Sequence, residues 1–178
     1  MHPRWQQKVL KYYQDLFTSK GKQNVQMIIA THSSYVIQSA LKSPNNNLII
    51  VLQNNNGKIE AKSIKSPGVL PQITAAETNY LAFHIPTIDY HIELYGWLQR
   101  KNGDLNVKRC DDYIKNHHYY VKSRHHKSSS FIDKNNKTIH YETLPTYIRN
   151  AIDHPDPQRP FTEEQLKISI ELLIKLCR

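Results

Sequence analysis

The sequence predicts an α/β part followed by an all-α part, and three observations support this fold class. Two short apolar runs rich in β-branched residues, 25–31 and 48–53, are typical of buried strands. Two prolines and a glycine at 66–71 then interrupt the chain. Beyond that point, apolar residues recur mainly at helical spacing. We therefore expect one part over residues 1–65 and a second over residues 66–178.

The chain opens on a predicted helix. Trp5, Val9 and Leu16 recur at helical spacing, and Pro3 suits the first turn of a helix. A domain that begins directly on a helix, with no strand before it, has the pattern of the second half of a larger α/β unit.

The rest of the first part is predicted to alternate strands with a helix. Strand 25–31 leads into a helix over 33–42, which one of the two serines at its start can cap. Strand 48–53 is followed by Asn-Asn-Asn-Gly and then by 58–64, where apolar and charged residues alternate, as in a hairpin. The predicted order is helix, strand, helix, strand, strand.

The second part is predicted to be a small helical bundle. Two helices, 74–84 and 87–101, flank Pro86, and two more follow at 143–152 and 161–178. The last begins with a threonine cap and acidic residues, which suit a helix N-terminus.

A polar stretch, 102–137, separates these helices and is predicted to be a long loop or a partly ordered insertion. Residues 100–127 contain eight lysines and arginines against three aspartates, a net charge of +5, with tyrosines and histidines interleaved. Cations and stacking rings suit single-stranded RNA, and a solvated surface loop is the alternative. No cysteine or carboxylate completes a zinc spacing with the paired histidines. The predicted RNA-binding residues are Lys115, Tyr119, Tyr120, Lys122, Arg124 and Lys127.

The composition indicates which kind of partner and which cellular compartment to expect. The formal charge of the 178 residues is +9, which suits a polyanion such as RNA or nucleotide phosphates. Cys110 and Cys177 lie far apart, which predicts a reducing compartment and no disulfide framework. The sequence contains no apolar run of membrane-spanning length and no apolar signal core. We expect a cytoplasmic protein with no membrane partner.

His32 directly follows the first predicted strand. In open α/β sheets, ligands bind at the carboxyl ends of strands, and an imidazole can donate a hydrogen bond to a phosphate oxygen. The alternative is a structural histidine that bonds to a neighbouring carbonyl group.

Three segments in order, HPRWQ, IIATHSSYVI and LIIVLQNNNGKI, resemble the C-terminal half of ABC-class ATPase domains. Such domains occur in stand-alone prokaryotic ATPases of the phage-defence and overcoming-lysogenization type. The resemblance implies that residues 1–65 form the tail of a P-loop NTPase sheet. It also implies that His32 is the switch histidine, which touches the γ-phosphate, with Thr31 and Ser33 beside it.

The chain departs from that family at the phosphate and metal sites. It has no G-x-x-x-x-G-K-[ST] loop, and no apolar strand ending in Asp-Glu precedes His2. We therefore expect no ATP hydrolysis by this chain alone. ATP and magnesium are expected only if a partner chain supplies the rest of the site, and otherwise no cofactor or metal is expected. The expected partner is an ATPase half or a second copy of this chain.

Arg149 and His154 form a second candidate site near the C-terminus. On an ideal helix they lie about 140° apart, but Pro155 should end the helix near Asp153 and free the imidazole to turn. An arginine that grips a phosphate and a histidine that moves a proton can support metal-free RNA cleavage. The alternative is that Arg149 only pairs with Asp153, four residues on.

The segments YHIELYGWLQ, LPTYIRNAIDHP and FTEEQLKISIELL resemble the C-terminal helical portion of the same ATPases. Within them, Arg-Asn-x-x-x-His resembles the HEPN ribonuclease motif, whose dimers place two motifs in one cleft. The resemblance implies that Arg149, Asn150 and His154 form the active site. We expect a C-terminal fragment or split subunit of an ABC-type ATP-binding protein with an RNA-cleaving or RNA-binding end. The alternative is a non-catalytic module that completes or regulates a partner ATPase.

Overall fold

The computed structural model consists of two compact units, Met1–His84 and Ile85–Arg178. The predicted boundary between residues 65 and 66 falls on 65–67, which lie outside the described residues. The structure describes residues 2–23, 25–43, 45–64, 68–132 and 136–178. Within these ranges, no helix has the length and apolar character needed to cross a membrane.

The first unit combines helices with short hairpins. Strands β1 and β2 pair antiparallel, as do β3 and β4, in separate two-stranded sheets. The predicted opening helix, the helix capped by Ser33 and the hairpin after it are confirmed. The elements are α1 (Pro3–Leu16), β1 (Thr18–Ser19), β2 (Lys22–Gln23), α2 (Ser34–Leu41), β3 (Ile49–Asn55), β4 (Lys58–Ile64) and α3 (Ala75–Phe83).

The predicted strand over 25–31 is wrong. This segment pairs with no strand in the described part of the chain. Ile28 is 94% exposed and Ile29 is 45% exposed, so the apolar run is largely uncovered. An extended segment gains ladder hydrogen bonds only beside another strand, and this unit places none there. His32 therefore precedes α2 without following a strand of a sheet.

The core of the first unit lies between α2, the β3–β4 hairpin and α3. Ile37 and Leu41 of α2 are buried against Ala82 of α3, and Ile49 and Val51 of β3 pack against this cluster. Helix α3 follows residue 65, yet it belongs to the first unit through this packing. The result is a mixed α/β unit whose paired strands are antiparallel.

The second unit is a helical bundle that carries a β-hairpin. Helix α4 packs along α8, and α7 contacts both of them. Leu94, Ile148 and Ile170, one from each of these helices, are fully buried. Both cysteines are free and buried. The elements are α4 (Ile88–Lys101), α5 (Val107–Asn116), α6 (Lys122–His125), β5 (His126–Ile132), β6 (Thr138–Thr143), α7 (Leu144–Asp153) and α8 (Glu163–Cys177).

The prediction that the second part is all-helical is wrong, because β5 and β6 form an antiparallel hairpin within it. The predicted loop 102–137 also contains α5 and α6, and its residues 133–135 lie outside the described residues. Helix α5 forms because Cys110 and Ile114 bury one face completely and Asn106 caps its start.

Asp111 of α5 attaches the hairpin to the start of α7. Its buried carboxylate accepts hydrogen bonds from the backbone N–H groups of Glu142 and Thr143, each at 3.0 Å, and from Thr143 Oγ1 at 2.7 Å. Thr143 is also the N-cap of α7. The position of α7, and hence of the candidate residues on it, depends on this buried carboxylate.

Candidate active site

Helix α7 ends where the sequence predicts. Its last helical residue is Asp153, and His154 adopts non-helical dihedrals with φ −131° and ψ 77°. The backbone N–H of His154 still donates to the Asn150 carbonyl at 3.0 Å and closes the last turn. Pro155 disfavours helical dihedrals at the residue before it, which explains the end at this point.

Arg149 is held within the same turn of α7. Its Nη2 lies 2.7 Å from Asp153 Oδ2, and its Nη1 donates to Asn150 Oδ1 at 3.0 Å. The ion pair with Asp153 is the alternative that the four-residue spacing indicates. A guanidinium has five N–H donors in a planar fork, so these two bonds leave donors for a further acceptor.

Asn150 is buried next to Arg149, with 3% of its surface exposed. Its Oδ1 accepts the Arg149 hydrogen bond, while its Nδ2 is buried and has no hydrogen-bond partner in the described part of the chain. Buried donors are nearly always paired in folded proteins, so this amide calls for an explanation. It lies within the predicted motif and directly beside the arginine.

His154 lines an open groove of about 740 Å³ at the end of α7. Its exposed ring lies 5.8 Å from the ring of Phe131 on β5, centroid to centroid. The Arg159 guanidinium covers the Phe131 ring at 4.1 Å. The groove is lined by Ser130, Phe131, Ile132, Asp153, His154, Pro155, Asp156 and Arg159.

Arg149 lies close to this groove, because the Asp153 carboxylate that it binds belongs to the groove lining. Tyr141 of β6 gives a second indication that Arg149 lies near the groove. Burial raises the pKa of its phenol, and the positive charge of Arg149 opposes the rise. Tyr141 in turn packs against Phe131, with ring centroids 6.0 Å apart. The structure therefore brings Arg149, Asn150 and His154 to one end of α7.

This arrangement can position and protonate a phosphate group. A guanidinium binds phosphate oxygens with two parallel hydrogen bonds, and an imidazole can accept or donate a proton. The Asp153 carboxylate competes with an incoming phosphate for Arg149.

The predicted nucleotide residues lie at the start of α2 in the first unit. Ser33 caps this helix and bonds through its hydroxyl to Gln6, and Thr31 Oγ1 accepts from the Ser33 backbone N–H at 3.0 Å. His32 is exposed. Thr31 and Ser33 are half-buried and bonded at the start of α2, which gives them structural roles, whereas His32 is the exposed residue of the three.

The predicted RNA-binding residues lie between the end of α5 and the start of β5. Lys115 pairs with Glu142 at 2.6 Å, and Arg124 lies 3.7 Å from Glu171. Lys127 is half-buried over the Tyr147 ring at 4.0 Å, and burial lowers the pKa of its amine. Lys115, Tyr119, Lys122 and Arg124 are exposed, whereas Tyr120 is half-buried and its hydroxyl bonds with His126.

No family model, curated protein or solved structure matches this chain. The described residues contain no group of three or more histidine, cysteine, aspartate or glutamate side chains placed to hold a metal ion.

Sequence reasoning missed Phe131 and Arg159, which form the wall of the groove opposite His154. Phe131 lies in the stretch predicted as a loop, so nothing indicated that a strand would carry its ring to α7. The alternation of Lys127, Ser129 and Phe131 is the signal that identifies this strand in hindsight.

Proposed function

We propose that the second unit cleaves single-stranded RNA without a metal ion, with Arg149, Asn150 and His154 as its active site. The single observation that carries the proposal is that the three residues lie at the end of α7, where Arg149 is bonded to Asn150 and His154 lines an open groove. The resemblance of Arg-Asn-x-x-x-His to the HEPN motif and the net positive charge of +9 support it.

The chemistry is an intramolecular transesterification. The ribose 2′-oxygen attacks the phosphorus while the bond to the 5′-oxygen breaks, which leaves a 2′,3′-cyclic phosphate and a 5′-hydroxyl group. The imidazole of His154 accepts the 2′-hydroxyl proton or delivers a proton to the leaving oxygen. Arg149 leaves Asp153 to bind the phosphate and stabilises the negative charge that develops on it. A second copy of the chain, as the resemblance implies, supplies the other proton-transfer group.

The test is cleavage of a fluorescent single-stranded RNA by the purified chain in excess EDTA. We expect cleavage that falls by roughly 100-fold or more in His154→Ala, since general acid–base catalysis contributes at least that much. Arg149→Ala should lose a similar factor, and Arg149→Lys should recover only part of it. His140→Ala is the matched control, because His140 is an exposed histidine on the neighbouring strand β6. Equal activity in the His154 and His140 variants would contradict the proposal.

A second function is favoured by the apolar outer face of the β3–β4 hairpin. Ile50 is 55% exposed, Leu52 68% and Ile59 62%, whereas the opposite side of β3 packs on the core. A strand that is apolar on both faces is typical of a sheet covered on both sides, and exposed apolar patches mark interaction sites. We propose that this face binds an ATPase chain or a second copy, and that ATP and magnesium bind only in such a complex, next to His32.

Sedimentation analysis tests the second function for the case in which the partner is a second copy of this chain. The wild-type chain should self-associate, and Ile50→Thr/Leu52→Thr should sediment as a monomer with the same thermal stability. Lys58→Thr/Lys62→Thr, on the same hairpin, is the control and should behave as wild type. Hydrolysis of ATP by the chain alone would contradict the incomplete nucleotide site.

A further inference from the structure

A cluster of closely spaced rings, one pair of them stacked, occupies the turn after α5. We call His117, His118 and Tyr119 the ring cluster. The ring centroids of His117 and His118 are 4.4 Å apart, those of His118 and Tyr119 4.0 Å, and those of His117 and Tyr119 5.1 Å. Tyr119 is 43% exposed and His118 is exposed. The rings therefore present stacking surface to solvent instead of contributing to the core.

Backbone hydrogen bonds hold this turn in place. The N–H of Tyr120 donates to the His117 carbonyl at 2.9 Å, and the N–H of Tyr119 donates to His117 Nδ1 at 3.3 Å. On α5, the ring of Tyr113 lies 5.7 Å from that of His117 and supports the cluster from behind. The rings are thus arranged before any ligand arrives, which lowers the entropy cost of binding.

The charges around the ring cluster favour a polyanion. Residues 113–127 contain four lysines and arginines and no aspartate or glutamate, although Glu142 of β6 pairs with Lys115 and Glu171 of α8 lies near Arg124. Lys122 is exposed at the start of α6, three residues after Tyr119. A flat ring surface beside fixed cations binds single strands by stacking their bases and attracting their phosphates.

Strand β5 connects the ring cluster to the groove at His154. At its first residue, His126 Nδ1 lies 3.3 Å from the hydroxyl of Tyr120, the residue that follows the cluster. At its other end, Ser130, Phe131 and Ile132 line the groove. Seven residues of strand span roughly 20 Å. A ligand that reaches both places must therefore extend over several nucleotides.

We propose that the ring cluster is a base-stacking subsite for single-stranded RNA, which holds the strand several nucleotides away from the bond cut at His154. This inference rests on the proposed ribonuclease function and identifies its substrate as an unpaired strand long enough to follow β5. Duplex RNA does not fit, because its bases are already stacked on one another.

The test measures the binding of a fluorescent 2′-O-methyl oligonucleotide of 12 nucleotides, which cannot be cleaved, by anisotropy. His118→Ala/Tyr119→Ala should weaken binding by roughly tenfold or more, which is the size expected for lost base stacking. The slope of affinity against salt should stay the same, because no cation is removed. Tyr12→Ala/Tyr13→Ala, a pair of neighbouring exposed rings on α1, is the matched control and should bind as wild type.

Cleavage assays separate this inference from the proposed function. At subsaturating concentration, the ring-cluster variant should cleave a 12-nucleotide RNA more slowly than the wild type, whereas Tyr12→Ala/Tyr13→Ala should cleave it at the wild-type rate. Equal affinity of the variant and the wild type for the 12-nucleotide strand would overturn the inference, even if RNA is cleaved. If binding depends on the rings but no RNA is cleaved, only the proposed ribonuclease function is overturned. If duplex RNA binds more tightly than single strands, the inferred base-stacking subsite is overturned.

Discussion

At the scale of single residues, the candidate site is defined by what holds Arg149. The guanidinium is bound on one side by Asp153 and on the other by Asn150. In the proposed reaction, a phosphate must compete with the Asp153 carboxylate for Arg149. The sequence indicated this pair as the alternative to catalysis, and the structure contains the pair.

Asp153→Asn tests that competition. The amide keeps the shape of the side chain but removes its charge, so Arg149 should bind phosphate more readily. We expect the KM for RNA to fall severalfold with kcat changed less, measured by steady-state cleavage in EDTA. Asp156→Asn is the control, since Asp156 lines the same groove but pairs with Arg159. A rise in KM for Asp153→Asn would show that the carboxylate helps to bind substrate.

His91 predicts how stability depends on pH. Its ring is fully buried, with Nε2 2.9 Å from Ser169 Oγ, and burial lowers its pKa from 6.5 to about 3. Above pH 6.5 the imidazole is neutral in both the folded and the unfolded chain. As the pH falls from 6.5 towards 3, only the unfolded chain takes up the proton, so the free energy of unfolding decreases by up to about 1.4 kcal/mol per pH unit.

Denaturant unfolding between pH 7 and pH 4 measures this decrease. His91→Gln should show a shallower loss of stability with falling pH than the wild type. Other groups that titrate in this range, including His125, are present in both proteins and cancel in the difference. His140→Gln should keep the wild-type slope because His140 is exposed. If the slopes of His91→Gln and the wild type coincide, His91 is not buried as a neutral ring.

At the scale of elements, the structure depends on contacts that join α5, the β5–β6 hairpin and α7. The Asp111 carboxylate is the central one, because it binds the end of β6 and the residue that caps α7. A local change in α5 should therefore reach α7, the helix that carries the candidate site, through this carboxylate.

Asp111→Ala should lower the free energy of unfolding by roughly 1–3 kcal/mol or more, because it leaves buried N–H and O–H donors unpaired. Asp112→Ala is the matched control. Its carboxylate forms only a surface ion pair with Lys108 at 2.9 Å, which is worth at most about 1 kcal/mol. Urea unfolding of both variants gives the comparison. Equal losses for the two would contradict the structural role of Asp111.

The sequence predicts elements whose signals are local. Helix α8 was predicted from Thr162 and the acidic residues of its first turn, and the end of α7 from Pro155. The β5–β6 hairpin was missed because β5 contains three consecutive serines, and the residues between the two strands in the sequence are polar. Segment 25–31 has the composition of a strand, but a strand also needs a neighbour, which composition does not reveal.

The residues of the candidate site, like the elements, could be predicted only where the signal is local in the sequence. The motif residues Arg149, Asn150 and His154 could be selected from the sequence, since they lie within six positions of one helix end. Phe131 and Arg159 could not, because the hairpin and the chain after α7 bring them to the groove from elsewhere. Contacts between distant segments depend on packing, and a single sequence does not specify it.

At the scale of the whole molecule, the two units differ in how completely they cover their apolar residues. Most of the exposed large apolar side chains that the structure describes belong to residues 1–84, whereas Tyr90, Leu94 and Leu173 of the second unit are fully buried. The exposed apolar residues of the first unit support the proposal that it binds a partner. The second unit has a closed core, which supports the proposal that α7 carries an active site.

The most direct test of the ribonuclease account is cleavage, in EDTA, of an RNA with a single 2′-deoxy substitution at the main cut site. The attacking oxygen belongs to the nucleotide on the 5′ side of the broken bond, so its removal should block cleavage at that bond alone. The unmodified RNA should yield 2′,3′-cyclic phosphate ends. Cleavage at the 2′-deoxy position would contradict the account. Cleavage that occurs only when a divalent cation is added, and that leaves 3′-hydroxyl ends, would contradict it as well.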